Sequence, residues 1–518
     1  MRMSVHILAA AGAASAAVAQ PFVHHIGEPQ PARELSNDLT ILSTGEIASV
    51  GSIAFDVANA ITHGYLVVND PDGDPLNSFI VVDPDAQRHP LIAAREDPAD
   101  KKLIVLQDSL LSPGPLGTDL VLFKIDPFTG VIGYQLRYDD AAHARNLGME
   151  LDGQTGLVAA SVFNTAGVTQ ATLLRYRNAS GMPIFHFRYA PLDFPAFNAR
   201  FFDVAVDDDS GDIFAVGSVQ LDIPTFNPDS ELLIARFTAA GIPLWFRAYE
   251  IRVANTDEAG AAEGASIELT AAGRVAVTAR VADPTFGPLS AHIVVDPLAG
   301  VPLAAAALTN PQAAIDPAFS SLELRPDGSM LVSGTVFDVT GRPNPAIWTF
   351  DAGTAAFDWA WVPDVQDGAG HSAIPQDNRG PLLGGIVFPL LGPIGGLRDV
   401  LLARTQPDGT GLCPKTPDLR DLDVDITSVN FLVTPVDLPP PEQAGIAATT
   451  GDPVRRFACR LCPADLAPPF GVLNFFDLAA YIALYNAMDP AADLAPPFGV
   501  WNFFDLAAYI ALYNAGCP

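Results

Sequence analysis

The sequence predicts a mainly β chain: a seven-bladed β-propeller followed by a small all-α pair of helices. Three observations predict it. A strand–turn–strand unit recurs at a steady spacing through most of the chain. Helical periodicity is almost absent between the copies. Near the end, one segment with helical spacing is repeated almost letter for letter.

The recurring unit is clearest in its sixth copy. SSLELRPDGSMLVSGTVFD forms a first hairpin turning at Asp327-Gly328, and PAIWTFDAGTAAFDWAWV a second turning at Ala352-Gly353. Period-two alternation on both sides of an x-Gly turn is the signal of a hairpin. First hairpins turn near Gly45, Lys101-Lys102, Gly156, Gly211, Gly273, Gly328 and Gly380. Second hairpins turn near Gly73, Gly130, Gly181, Gly241, Gly300, Gly353 and Gly409. Both series advance by about 50–60 residues, close to propeller-blade periods. Seven copies of four strands place the propeller at residues 37–436. Residues 421–427 (DLDVDIT) alternate as a half-buried strand does. They are expected to complete the seventh blade, beside the strand near Leu39–Leu42, and so hide open edges.

Ahead of the repeats, Arg2, the apolar residues 5–16 and Ala17-Val18-Ala19 have the order of a secretory signal. Residues 1–19 are therefore expected to be removed, and the chain to be secreted, extracellular or held at a cell surface. No later segment is long and apolar enough to span a bilayer. The charge agrees with export. Acidic residues number 59 against 28 basic, a formal net charge of -31, which disfavours nucleic acid and anionic membranes. An apolar content of 49% excludes a disordered chain.

After the repeats, the proline-rich break at 437–441 and the unpatterned stretch behind it read as a linker over 437–461. Residues 464–487 then return as residues 492–515, with Trp501 in place of Leu473. Each copy sets a PPFG turn before a helix starting near Phe476 or Phe504, with Asp477 or Asp505 in its first turn. Leu478, Tyr481, Ile482 and Tyr485 make an apolar stripe, and the second copy repeats it. One such helix cannot bury its stripe alone; two facing each other can. The stripes and the pairs Phe475-Phe476 and Phe503-Phe504 are expected to supply the stability.

All four cysteines, Cys413, Cys459, Cys462 and Cys517, lie in the last quarter. In an exported chain they suggest disulfides, with three pairings open. Cys413–Cys459 with Cys462–Cys517 is favoured, because each bond then closes a local unit. Cys459-Arg-Leu-Cys462 is a C-x-x-C pair, but no second pair lies nearby to complete a zinc site.

The tandem copies, framed by Cys462-Pro463-Ala464-Asp465 and Gly516-Cys517-Pro518, resemble the GC-type dockerin module of bacterial secreted proteins over residues 462–518. The resemblance implies paired calcium-binding loop–helix units and a cohesin-like or other surface protein as partner. The blades resemble, more loosely, the propeller repeats of bacterial exported proteins, which names a scaffold and not an activity. A dockerin calcium loop wants oxygen side chains at positions 1, 3, 5, 9 and 12. Asp465, Asn474 and Asp477 remain in the first copy and Asp493, Asn502 and Asp505 in the second. Ala467 and Pro469 stand at positions 3 and 5 of the first loop. These degenerate loops leave calcium open and allow another role, in which Asp477 and Asp505 cap their helices.

The blades carry no G-x-S-x-G elbow and no H-E-x-x-H helix. The histidines are scattered, and no catalytic residue is assigned. Thr349-Phe-Asp351-Ala-Gly353, Asn69–Asp74 and Asp207-Asp208-Asp209 read as ordinary turns. The expected function is a non-catalytic extracellular binding or structural propeller, with a glycan or protein ligand on its face; loops 218–230 and 250–263 are the candidates. The alternative is an extracellular polysaccharide-degrading enzyme with its active site over the channel. An acidic cluster converging on that channel would favour the enzyme.

Overall fold

The computed structural model describes residues 22–27, 33–54, 61–84, 86–111, 118–138, 148–163, 168–191, 197–221, 230–253, 261–309, 315–316, 321–338, 340–363, 365, 368–375, 380–387, 399–406, 408–411, 414–415, 419–451, 454–457, 464, 466, 473–488, 492, 494–495 and 500–515. Seven antiparallel sheets follow one another round the ring, and in blades 1 to 6 the blade strands run in sequence order from the inside outwards. In blade 1 these are Arg33–Ile41, Ile47–Ala54, His63–Asn69 and Pro75–Val82. The fold is a seven-bladed β-propeller, as the repeats predict.

The turns fall close to the expected places. Gly45, Gly211, Gly273 and Gly328 hold positive φ in first hairpins, where Lys101 does the same work at φ 62. Two positions differ. The third first hairpin turns at Gly153, not Gly156, and in the sixth copy Ala355 takes the left-handed position, not Gly353. Asp351 accepts N–H bonds from Gly353 and Thr354, so the side chain shapes that turn.

The ring closes differently from the expectation. Blade 7 is built from Gly368–Ile374, Leu382–Val387 and Asp399–Arg404, and its fourth strand is the N-terminal segment Phe22–Gly27. Residues 421–427 do not complete that blade. After blade 7 the chain turns back and circles the ring in reverse, laying one outer strand on each blade. Pro414–Lys415 pairs with blade 6, Arg420–Leu422 with blade 5 and Val424–Phe431 with blade 4. Val433–Asp437, Glu442–Gln443 and Ala447–Thr450 pair with blades 3, 2 and 1. Val454–Phe457 ends the belt against Phe22–Gly27, so the two ends of the circuit lie side by side. The reading of 437–461 as a linker is thereby corrected: much of it is edge strand. Its short, polar, Pro-interrupted pieces hide their role because each pairs with a blade far away in sequence, and one exposed edge strand leaves only a faint hydrophobic pattern.

A bulge marks the innermost strands. In blades 1, 4 and 7 the extra residue is Asn37, Phe202 and His371. The bulged backbone comes so near the next strand that only glycine fits opposite. A Cβ on Gly217 would sit 1.8 Å from the Arg200 carbonyl oxygen, and one on Gly51 1.7 Å from that of Leu35. Gly217→Ala is expected to cost about 3 kcal/mol, read as a lower denaturant midpoint with unchanged slope.

In five of the seven blades the side chain at or just after the bulge position ties the blade to the next. Asp38 accepts the Ala94 N–H at 3.1 Å, Asp203 that of Ile267 at 3.1 Å and Ser266 that of Leu322 at 3.1 Å. Ser321 accepts from Ala373 at 2.6 Å and Ser372 from Leu39 at 3.3 Å. Further out, Tyr138, Tyr189 and Tyr249 donate to the carbonyls of Gly181, Gly241 and Gly300, the second-hairpin turns of the following blades. The hydrophobic core is thus a series of slabs between blades, locked by polar bonds at both ends.

The C-terminal duplication forms α1 (Phe475–Asn486) and α2 (Phe503–Ala515). Tyr481 and Tyr509 stack at 3.8 Å across a local twofold, and each donates to the other unit's loop, Tyr481 to the Ala492 carbonyl and Tyr509 to that of Ala464. The expected stripe needs correction at its edges. Phe475, Phe476, Phe503 and Phe504 are 63–74% exposed, and Ile482 and Ile510 are exposed as well. Each helix can turn only one stripe inwards, and Leu478, Tyr481 and Tyr485 occupy it. Among the described residues no helix is long and apolar enough to cross a membrane.

Candidate functional site

The inner strands of all seven blades line one central cavity of about 880 Å³. Its lining is strongly charged. Asp38, Asp108, Glu150, Asp203, Glu263, Glu268 and Glu323 face Arg88, Arg95, Arg200 and Arg280, with His371, Phe202, Met149 and Ile92 between them.

The blade register explains who meets whom. Two residues beyond the blade-tying position, near the first-hairpin turns, the register holds Thr40, Arg95, Glu150, Ala205, Glu268, Glu323 and Ile374. Of these Arg95, Glu150, Glu268 and Glu323 line the channel, while Ala205 and Ile374 pack in the slabs between blades. Three glutamates and one arginine therefore converge from different blades onto one level. The Arg95 Nη1 lies 2.5 Å from Asp38 Oδ2 and 2.9 Å from its neighbour's carbonyl, Ala94 O, which fixes the guanidinium in place. Burial works against its charge, but Asp38, Glu150 and Glu323 hold its pKa above the ordinary arginine value.

The carboxyl groups respond in the other direction. Burial pushes Glu150 up to about 7, with Arg95 opposing and Asp203 adding to the rise. Burial, with Glu150 and Asp203, pushes Glu268 up to about 8, and burial with Glu268 raises Glu323 well above the carboxylate range. Like charges crowded into a poorly hydrated channel cannot all ionise, so this level holds protons at neutral pH. Asp38 and Asp203 have other work. Asp203 accepts the N–H groups of Val204 and Ile267 and the Ser266 hydroxyl, and Asp38 those of Leu39 and Ala94.

Sequence reasoning missed this cluster. Ala-Arg-Glu-Asp (94–97), Met-Glu-Leu-Asp (149–152), Ile-Glu-Leu-Thr (267–270) and Leu-Glu-Leu-Arg (322–325) each look like an edge of a strand. Only laid in register, blade over blade, do the four charges share a position. Two scattered histidines also meet: His63 Nδ1 lies 3.0 Å from His89 Nε2, beside the cavity-lining Thr62 and Arg88, and burial lowers the His63 pKa. His292 is structural, accepting from Trp348 Nε1 at 2.9 Å and stacking on Phe350. The Asn69–Asp74 segment is a turn in which Asp70 accepts from Asp72 and Asp74. Of the loops 218–230 and 250–263, residues 222–229 and 254–260 lie outside the described residues, and Glu263 of the second lines the cavity.

The expected calcium ligands divide. Asp477 is fully buried, its Oδ1 accepting the Leu466 N–H at 2.7 Å and its Oδ2 the Asn474 N–H at 2.7 Å. Asp505 is equally buried and accepts from Leu494, Ala495 and Asn502, each at 2.8 Å. Asn474 and Asn502 accept the N–H groups of Phe476 and Phe504 at 2.8 Å. In each copy the aspartate and asparagine thus bind the backbone of their own loop. Asp465 and Asp493, and all four cysteines, Cys413, Cys459, Cys462 and Cys517, lie outside the described residues.

No family model matches the chain, and no curated protein sequence does. Solved structures do. The NanB sialidase from Streptococcus pneumoniae is similar at 10% identity, over 73% of this chain and 69% of that one, with a TM-score of 0.40. Trypanosoma rangeli sialidase is similar at 12% identity over 72% and 55%, TM-score 0.34, and the polysaccharide lyase Uly1 at 8% over 62% and 90%, TM-score 0.32. The likeness is one of fold.

Proposed function

We propose that this chain is an exported, non-catalytic binding propeller whose channel takes a glycan and whose C-terminal dockerin-like module attaches it to a surface protein. The channel carries the reading. A cavity lined by carboxyls, guanidinium groups and one aromatic ring offers paired acceptors and donors to a polyhydroxylated ligand. The signal-like residues 1–19 support export, and N-terminal sequencing of secreted protein is expected to begin at Gln20. The exposed faces of α1 and α2 support docking. Phe475, Phe476, Ala479, Ile482 and Ala483 form an uncharged apolar surface, repeated on α2.

The acidic cluster named above as favouring the enzyme does converge on the channel, and it supports a second reading. Proton-holding glutamates at Glu150 and Glu268 are what a glycoside hydrolase uses as its general acid. Hydrolysis also needs an ionised carboxylate with a free oxygen. Asp38 and Asp203 spend theirs on N–H groups of the neighbouring blades, which favours binding, while Glu263 is the lining carboxyl an enzyme would have to use. The test is a glycan array with the full chain, followed by calorimetry and product analysis on any hit. Tight binding with no cleavage, lost on Glu268→Ala and kept on Glu268→Gln, is the expected result. Cleavage abolished by Glu150→Gln would make the protein an enzyme, and no glycan retained at all would overturn both readings.

A further inference from the structure

The second-hairpin turns of the seven blades are not alike. On blades 3, 4 and 5 they share one motif, Gly181-Met-Pro-Ile184, Gly241-Ile-Pro-Leu244 and Gly300-Val-Pro-Leu303. In each, the residues on either side of the proline are exposed apolar side chains; blade 5 adds Leu298, and blade 2 adds Phe128 and Val131. The turns of blades 1, 6 and 7 instead carry Asp70, Asp72 and Asp74, Asp351 and Asp358, and Asp408. Across the turns of blades 2–5 stand two acids, Asp126 and Asp296, and each accepts N–H groups of its own turn, from Phe128 and Thr129 and from Leu298 and Ala299. In a chain with 59 acidic residues, an arc so poor in charge is not a by-product of composition.

The arc is continuous and held in shape. Each turn rests on the foot of the preceding blade's outer strand. A Cβ on Gly241 would fall 2.8 Å from the Phe185 ring, and one on Gly181 2.6 Å from that of Tyr134. The exposed pairs of successive blades therefore abut. The hydroxyls of Tyr138, Tyr189 and Tyr249 fasten the turns of blades 3, 4 and 5, the three that carry the motif. Arg175 Nη1 donates to the Ala239 carbonyl at 2.8 Å and Arg236 Nη1 to that of Pro297 at 3.0 Å. A surface fixed in advance loses little entropy when a partner covers it. The belt leaves it bare: its pairs reach only Phe187 on blade 3, Phe246 on blade 4 and Ala307 on blade 5, each past the exposed residues. Pro183, Pro243 and Pro302 lack an N–H, so the arc is suited to side-chain packing and not to another strand.

Its size indicates what covers it. The nine side chains are 40–72% exposed and offer together about 900 Å², at about 100 Å² apiece. A standard interface takes about 800 Å² from each partner. We propose that the arc on blades 2–5 is the interface of a twofold dimer, with a second copy of the chain as its occupant. A twofold through the middle of the arc sets the turn of blade 3 against that of blade 4 on the other copy, and blade 2 against blade 5. Each copy thus meets a charge-poor apolar arc of equal extent. The acidic turns of blades 1, 6 and 7 fall outside the contact, whereas coaxial stacking of the rings would press them together. The net charge of -31 disfavours an anionic lipid surface as occupant. In the dimer both loop faces, with the cavity-lining Thr62, Arg88 and Asp108 beside them, are turned outwards.

Sedimentation velocity on the full chain over a range of concentrations tests this. A dimer is expected. Ile242→Asp with Leu303→Asp should raise its dissociation constant about a hundredfold or more and leave the far-ultraviolet spectrum unchanged, because both positions are exposed in the single ring. Phe286→Asp, equally exposed but on the loop side of blade 5, should leave the dimer intact. A chain that stays monomeric at every concentration would overturn the proposal, as would a dimer that survives the paired substitution. So would a dimer that Phe476→Asp with Phe504→Asp dissociates and the paired substitution does not, since the contact would then lie on the helices. Glycan binding and docking play no part in this measurement.

Discussion

Asp477→Ala is expected to unfold the C-terminal helical pair while leaving the propeller intact. The substitution strands the half-buried N–H groups of Leu466 and Asn474, which both oxygens of Asp477 now satisfy. Two such donors left without acceptors cost about 2 kcal/mol, a large share of what so small a core supplies. Hydrogen exchange on the full chain reads this directly, as lost protection over Phe475–Asn486 and, through the Tyr481–Tyr509 stack, over Phe503–Ala515. In the native protein a calcium chelator is expected to leave that protection unchanged. If chelation removes it, the aspartates ligate an ion and the backbone-capping account fails. Acid gives a second check. Bonds from Asn502, Ala495 and Leu494 hold Asp505 below its usual range. Its contribution is therefore present at neutral pH and lost as pH falls through that lowered value.

The propeller is expected to behave oppositely. Glu150 and Glu268 keep their protons to about 7 and about 8, whereas the unfolded chain releases them near 4.5. Below the unfolded value both states are protonated and nothing is lost. As pH rises between the two values the unfolded state alone sheds protons, so stability falls, by about 3 kcal/mol for Glu150 alone. The melting temperature of the propeller should thus drop steadily from pH 5 to pH 9. Glu268→Gln should flatten that slope. Arg95→Met, which removes the one cation at this level, should extend the fall to higher pH. A melting temperature that rises over this range would show the channel carboxyls to be ionised and well hydrated.

Both predictions turn on residues whose types were visible in the sequence but whose neighbours were not. Asp477 and Asp505 stood out because the duplication puts them at one position twice, and their helical placement follows from local spacing alone. Whether they hold an ion or a loop depended on which atoms lie within reach, and that is a matter of the folded loop. The channel glutamates had no local mark at all. Glu150, Glu268 and Glu323 sit on strands from three blades, brought together only when the ring closes.

The blades themselves were written locally. Alternating strands and turns with glycine, or Lys101 and Ala355 in its place, are short-range features, since pleat and turn geometry act over a few residues. From them the number of blades and the helical pair follow. Tertiary structure alone decided three things: that Phe22–Gly27 closes the ring, that residues 414–457 circle it as a belt, and that charges from distant blades share one level of the channel. Edge strands and inward-facing side chains gain their meaning from partners far away in sequence. Their free energy comes from pairing and desolvation after closure, which no local pattern encodes.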